Sequence, residues 1–216
     1  MIDATDFTIP GTGILRNRFG ITDSAALLKA TTDSTVLRLA ELHASPIRGG
    51  FDSAHLQAIH HHLYQDLYDW AGELRTIDAH NVPASQVEKS LNSLLDRLSR
   101  ENHLKGVSAE EWARSASGYL YDLGTIQPFL AGNEIAIHEF LIELARKNNL
   151  SLQWDATAEL AVENADVQVQ LLEQSANLRR MVMLAMDTNP ISLKPDRGRT
   201  IEHGIERIVS LGNPLL

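Results

Sequence analysis

The sequence predicts an all-α protein: a helical bundle with a short extended hairpin remnant and a C-terminal helical tail. Three observations carry that expectation. Apolar residues recur at three- and four-residue spacing through most of the chain. Helix-starting side chains stand at the head of those stretches, with Gly or Pro at their ends. Only one segment before residue 190, "ELRTID" at 73–78, reads as a strand.

Residues 1–22, rich in Gly, Pro and Thr, are expected to wrap the domain as a loop. Asp23 is placed to cap a helix carrying Leu27, Leu28, Val36, Leu37, Leu39 and Leu42 on its apolar side, ended by Pro46 and Gly49-Gly50. Asp52 opens the next, where Leu56, Ile59, Leu63, Leu67 and Trp70 repeat at helical spacing until Gly72 stops it. Ser85 with Glu88, and Ser108 with Glu111, fit capping boxes that open helices near 86–103 and 109–124. A further helix is expected over 133–148, with Ile135, Ile137, Phe140, Leu141 and Leu144 facing inward. Helices near 156–164 and 166–186 complete a domain spanning 23–188. Residues 189–216, punctuated by Pro190 and Pro195, form a linker and a short helix near 200–211.

Composition narrows the function classes. With 28 acidic against 19 basic residues the formal charge is −9. Phosphate backbones and anionic lipid both require clustered Lys and Arg, so neither nucleic acid nor a membrane surface is an expected partner. There is no cysteine, which removes disulfides, thiolate nucleophiles and Cys-based zinc sites. "MIDATDFTIP" lacks the apolar core of a signal peptide, so the expected location is cytoplasmic, with delivery as a secreted effector as the other setting.

The segment with the most chemical character is "QPFLAGNEIAIHEF", 127–140. Pro128 and Gly132 make a tight loop, and a helix follows, capped by Asn133. The first amides of a helix lack internal partners and its dipole makes that end positive, so such a loop can hold an anion. Alone, a Gly-Asn pair more often marks a plain helix-helix turn.

A second stretch gives the loop a context. "FDSAHLQAIHHHLYQDLYDWAGELRTID", 51–78, resembles the signature of Fic-domain proteins through Ile59, His60, Leu63, Tyr64, Asp66, Tyr68, Asp69, Trp70, Ala71, Gly72, Leu74 and Arg75. "GTGILRNRFGITD" and "FLIELARKNNLSLQWD" also resemble the family, extending the likeness over about 10–186. The resemblance implies a Fic-fold bundle. It also implies an activity, transfer of a nucleotide part, usually AMP from ATP, onto a target protein's hydroxyl. The family's loop reads H-x-F-x-[D/E]-G-N-G-R-x-x-R: a histidine base, an acidic Mg²⁺ ligand, a backbone anion hole and two phosphate-gripping arginines.

Against that pattern this loop is degenerate. Gln127 stands at the base position, and an amide has no useful basicity near neutral pH. Ala131 stands at the metal position and offers no carboxylate for Mg²⁺. Glu134 replaces the second glycine and puts negative charge where phosphate would sit. Ile135 and His138 replace the arginines, while Gly132, Asn133 and Phe129 match, Phe129 as a core anchor. No residue is therefore expected to act catalytically, no metal ligand is identified, and no cofactor is expected. Gly132 and Asn133 remain a residual anion-binding pair.

Two further parts of the family are missing. The flap that aligns a target's backbone is shortened in "TIDAHNVPASQVEKSL", and the inhibitory [S/T]-x-x-x-E-[G/N] motif is absent. The leading expectation is a Fic-fold pseudoenzyme that works by protein–protein interaction. By resemblance its partner would be an antitoxin-like protein or an active Fic relative. The alternative is a nucleotidyl- or phosphate-group transferase with a non-standard site built on Glu134, His138 or a neighbouring histidine, and only that reading calls for ATP and Mg²⁺.

Other candidates read as ordinary structure. Adjacent helical residues point about 100° apart, so His60, His61 and His62 cannot share one ion and are expected as surface and packing histidines. Glu139, Glu143 and Lys147 read as a solvated helix face.

Overall fold

The computed structural model describes residues 7–78, 81–152 and 186–187 of the chain. Its helices are α1 (Ser24–Ala44), α2 (Ser53–Tyr64), α3 (Ala84–Arg100), α4 (Ala109–Ile126) and α5 (Asn133–Lys147). Two-residue strands, β1 (Ser151–Leu152) and β2 (Met186–Asp187), pair antiparallel with Leu152 opposite Met186. The all-α expectation holds.

Helix α5 is the centre of the molecule. Every residue from Ala136 to Ala145 is buried, the mark of a helix covered on all sides. It packs on α2, α4 and β1, with Phe140, Leu141 and Leu144 inside one continuous core with Leu56, Ile59 and Leu63 of α2 and Trp112 and Leu123 of α4. Ser108 and Glu111 close a complete capping box at the head of α4. Asp23 caps α1 by accepting from the Ala26 amide at 2.8 Å.

Several local expectations are corrected. Helix α2 ends at Tyr64 rather than at Gly72. Reverse turns carry the chain onward, with the Leu67 and Tyr68 amides both bonded to the Tyr64 carbonyl. The Ser85–Glu88 box does not form. Pro83 occupies the cap position of α3, and Asp78 Oδ1 takes the Ala84 amide instead. Residues 73–78 form no strand, while the real pairing at 151–152 and 186–187 has no sequence signal, since two residues are too few to show a period. Met186, the last residue of the helix expected over 166–186, lies in β2 instead. The helices expected within 156–185 and the tail 189–216 lie outside the described residues.

Helix α1 departs from its expected apolar face. Leu42 is buried, but Leu28 and Leu37 are 69% and 67% exposed. Polar contacts add to the few apolar ones, Leu42 with Ala30 and Leu39, that attach it to the bundle. The Arg38 guanidinium forks onto Asp66 with two contacts of 2.7 Å and also reaches Glu41 at 2.8 Å. That guanidinium holds the Asp66 carboxyl below the usual carboxylate range. His62 Nε2 approaches the Arg38 carbonyl at 3.0 Å, and His43 Nε2 approaches Glu139 Oε2 at 2.8 Å.

Glu139 and Glu143 are not a solvated face: they are 5% and 6% exposed. Each meets a histidine, Glu139 at His43 and Glu143 at His55, the latter at 3.0 Å. Helical spacing alone could not reveal this, because α5 has no solvent side. Lys147 also turns away from Glu143, its ammonium 4.7 Å from the centre of the Phe51 ring.

Candidate functional site

The 127–134 loop joins α4 to α5, and the carbonyls of Gln127, Pro128 and Ala131 are held from outside it. Arg75 does most of this. Its guanidinium donates to the carbonyls of Gln127 (2.8 Å), Ile126 (3.2 Å), Ile77 (3.0 Å) and Val82, and its own amide donates to Pro128 (2.9 Å). Arg75 is 4% exposed, and the four hydrogen bonds of its guanidinium all go to carbonyls. Two of them belong to the last turn of α4, the negative end of that helix, where a cation is favoured. Burial draws the guanidinium's pKa down from its ordinary value, opposed by Asp78.

The far half of the loop has two other anchors. The Asn133 side chain accepts the Phe129 amide at 2.8 Å and donates to the Phe129 carbonyl at 2.9 Å. Asn133 therefore braces the loop and does not cap the helix; Gly132 occupies the cap position. His60 approaches the Ala131 carbonyl through Nε2 at 2.9 Å and accepts the Gly72 amide at Nδ1 at 2.8 Å. An Nδ1 that accepts leaves Nε2 as the protonated nitrogen. The ring is stacked on Phe129, with centroids 3.8 Å apart and planes 17° apart. Burial lowers the His60 pKa to about 4.

Two backbone conformations are special. Gln127 is left-handed (φ 43°, ψ 72°), uncommon for a residue with a Cβ and a frequent companion of function. Gly132 has φ 73°, and a Cβ there would come within 2.4 Å of the Tyr64 ring. Only glycine fits. Burial, then Tyr68 and Glu134, push the Tyr64 phenol above its ordinary pKa.

The sequence-marked residues are thus gathered in one place. Gln127, Ala131, Gly132, Asn133, Glu134 and Ile135 are half-buried around the loop; Phe129 and His138 are buried. His138, the substitute base of the transferase alternative, is 8% exposed, so its burial limits access by a target hydroxyl. Sequence reading passed over two residues that shape the site. His60 and Arg75 were visible only as matches to the family signature, and neither residue type announces a carbonyl anchor.

The three His residues face different partners, as the helical angle requires. His61 meets the Ala71 carbonyl at 2.9 Å, His60 the loop and His62 the end of α1. Among the described residues no group of three His, Asp or Glu side chains could hold a metal ion. No helix among them is long and apolar enough to cross a membrane.

The residues present do not fit the nucleotide–metal pair in the family's manner. Ala131 has no carboxylate for Mg²⁺, Ile135 has no charge for phosphate, and Glu134 places a carboxylate in the first turn of α5.

Comparison with known proteins places the fold and the loop in context. The Fic/DOC family pattern matches residues 50–145. Protein adenylyltransferase VbhT of Bartonella schoenbuchensis is 32% identical over 167 residues, which are 75% of this chain and 35% of that protein. The chain thus spans about a third of the length of that relative. The probable protein adenylyltransferases Fic of Salmonella typhimurium and Escherichia coli are 32% and 30% identical, matched over 78% and 82% of their lengths and 70% and 74% of this chain. The crystal structure of the translocated effector BepC from Bartonella tribocorum, with bound AMPPNP, superposes with a TM-score of 0.76 at 22% identity, over 85% of this chain and 97% of that one.

Proposed function

The chain belongs to the Fic/DOC family, and from that premise we propose its function at two levels. At the level of the family, the reading best backed by the relatives is transfer of a nucleotide-derived group to a protein. VbhT and the two Fic proteins carry the name adenylyltransferase, and those names favour the transferase alternative over the pseudoenzyme.

At the level of this chain, we propose a loop that keeps the family's frame and recognises a protein without transferring a group. One observation carries this finer reading: Gln127, Ala131, Glu134 and Ile135 occupy the positions of base, metal ligand, second glycine and first arginine. Loss of a general base alone costs about 10²–10⁴ in rate. Loss of metal and charge clamp removes most of the electrostatic stabilisation that transfer of phosphorus-containing groups relies on. The buried His138 and the position of Glu134 at the positive helix end give no ready replacement.

Incubation with labelled ATP, UTP and CDP-choline, Mg²⁺ or Mn²⁺ and cell lysate tests the two levels against each other. We expect no label on any protein. Label that disappears with Glu134→Ala or His138→Ala would establish a transferase with a non-standard site and discard the finer reading. We further expect the combined Gln127→His, Ala131→Asp, Glu134→Gly, Ile135→Arg variant to gain ATP binding by calorimetry. Micromolar ATP affinity in the unaltered chain would contradict the charge argument. The partner we propose is a protein, either an antitoxin-like chain or an active relative. Of the two settings, delivery as an effector gains support from the translocated effector among the fold neighbours.

A further inference from the structure

We propose that His60 is the positioning residue of the 127–134 loop, holding the Ala131–Gly132 step through an Nε2–H tautomer that the Gly72 amide selects. The two halves of the loop are held by different means. Arg75 fixes the carbonyls of 126–128, at the end of α4. Beyond Phe129, the Asn133 side chain binds Phe129 alone, and His60 takes the Ala131 carbonyl. Without His60 the turn into Gly132 would lose this outside anchor, and the first amides of α5 would no longer stand in one place.

The selection works through tautomer chemistry. Gly72 has φ 85°, and a Cβ there would lie 2.8 Å from the His61 Cβ and 3.0 Å from the Gln57 carbonyl. This pins the turn so that its amide points at Nδ1. An imidazole that accepts at Nδ1 donates at Nε2. The titratable groups beside the ring are His61 and Tyr64 of its own helix. The 70–72 turn presents Trp70 and the Gly72 amide, and the loop presents the Phe129 ring and the Ala131 carbonyl, none of them charged. Of these, only the Ala131 carbonyl favours a protonated ring, and burial outweighs it, so the pKa is lowered. The turn of the DWAG segment therefore sets the position of the loop without any ligand. The inference rests on the loop as the working part of the protein, under either reading of its function.

Two near-isosteres separate the two bonds. Asparagine places an acceptor near Nδ1, and glutamine places a donor near Nε2. Amide hydrogen exchange by NMR on the full chain is the measurement. In His60→Gln we expect the Gly72 amide to exchange at least about tenfold faster while Phe129 and Arg75 keep their protection. In His60→Asn we expect Gly72 to stay protected while Phe129 and Arg75 speed up by at least that factor. Leu141 should be unchanged in both. Equal losses in the two variants, or losses spread over the core, would reduce His60 to a filler of space. Should both variants fail to fold, the imidazole ¹⁵N shifts of the unaltered chain decide: a protonated Nδ1 overturns the proposal. None of these readouts involves nucleotide or transfer, so the proposal can fail while the functional reading stands, and the reverse.

Discussion

Helices α1 and α5 both lie against α2, yet they are held by opposite means. Ten consecutive residues of α5 are buried, whereas α1 buries Thr35 and Leu42 and leaves Leu28 and Leu37 in solvent. Dispersion and apolar burial hold the first; a guanidinium fork, a carbonyl–imidazole contact and a His–Glu contact fasten the second. The difference separates the part of the fold that cannot change from the part that can. The 127–134 loop leads into the unchanging helix.

Substitution at the two helices gives the largest contrast. Phe140→Ala should cost about 3–5 kcal/mol, because a fully buried ring is removed from a close-packed core. Leu37→Ala, on the exposed side of α1, should stay within about 0.5 kcal/mol. Urea denaturation measures both, and equal losses would erase the distinction.

A somewhat smaller effect comes from pH. His60 titrates near 4 in the folded chain and near its ordinary 6.5 when unfolded. The unfolded chain therefore takes up the proton first as pH falls. The stability tied to the neutral ring is complete above about pH 6.5 and is lost as pH drops toward 4. The amount approaches roughly 3 kcal/mol. Urea midpoints at pH 7 and pH 4.5 should move apart more in the unaltered chain than in His60→Gln, which has no imidazole to titrate.

The smallest effect belongs to α1. Arg38 and Asp66 are partly exposed, 26% and 39% at their side chains, so solvent screens the pair. Arg38→Met should cost about 1 kcal/mol, less in high salt. Its sharper readout is local: α1 amides should exchange faster while α5 amides do not change. Loss of protection in α5 as well would mean that the two helices unfold together.

The sequence announced the bundle wherever a helix has one wet face. The spacing of Leu56, Ile59 and Leu63, the Asp23 cap and the Ser108–Glu111 box all stand in the structure. It misled where that assumption fails. Glu139 and Glu143 look solvated because helices usually have an outside, and α5 lacks one. The Leu residues of α1 look buried because leucine usually is, and two of them are not. Trp70 continues the period of α2, but the chain has already turned at Tyr64, a matter of tertiary packing around Tyr68 and Trp70, whose rings stack 4.4 Å apart. At the loop, the family signature pointed to residues 127–138, which the structure gathers in one place. What it left out was the mechanical role of His60 and Arg75, because a carbonyl anchor depends on where a distant backbone passes.

Arg75 carries one more consequence. The guanidinium that ties the loop together is used up on main-chain oxygens, which every amino acid possesses, so its work is indifferent to the identity of the side chains it supports. The side chain at 127 can thus be exchanged without loosening the grip on its carbonyl. Descent could strip such a platform of its reagents, or fit it with new ones, a few codons at a time.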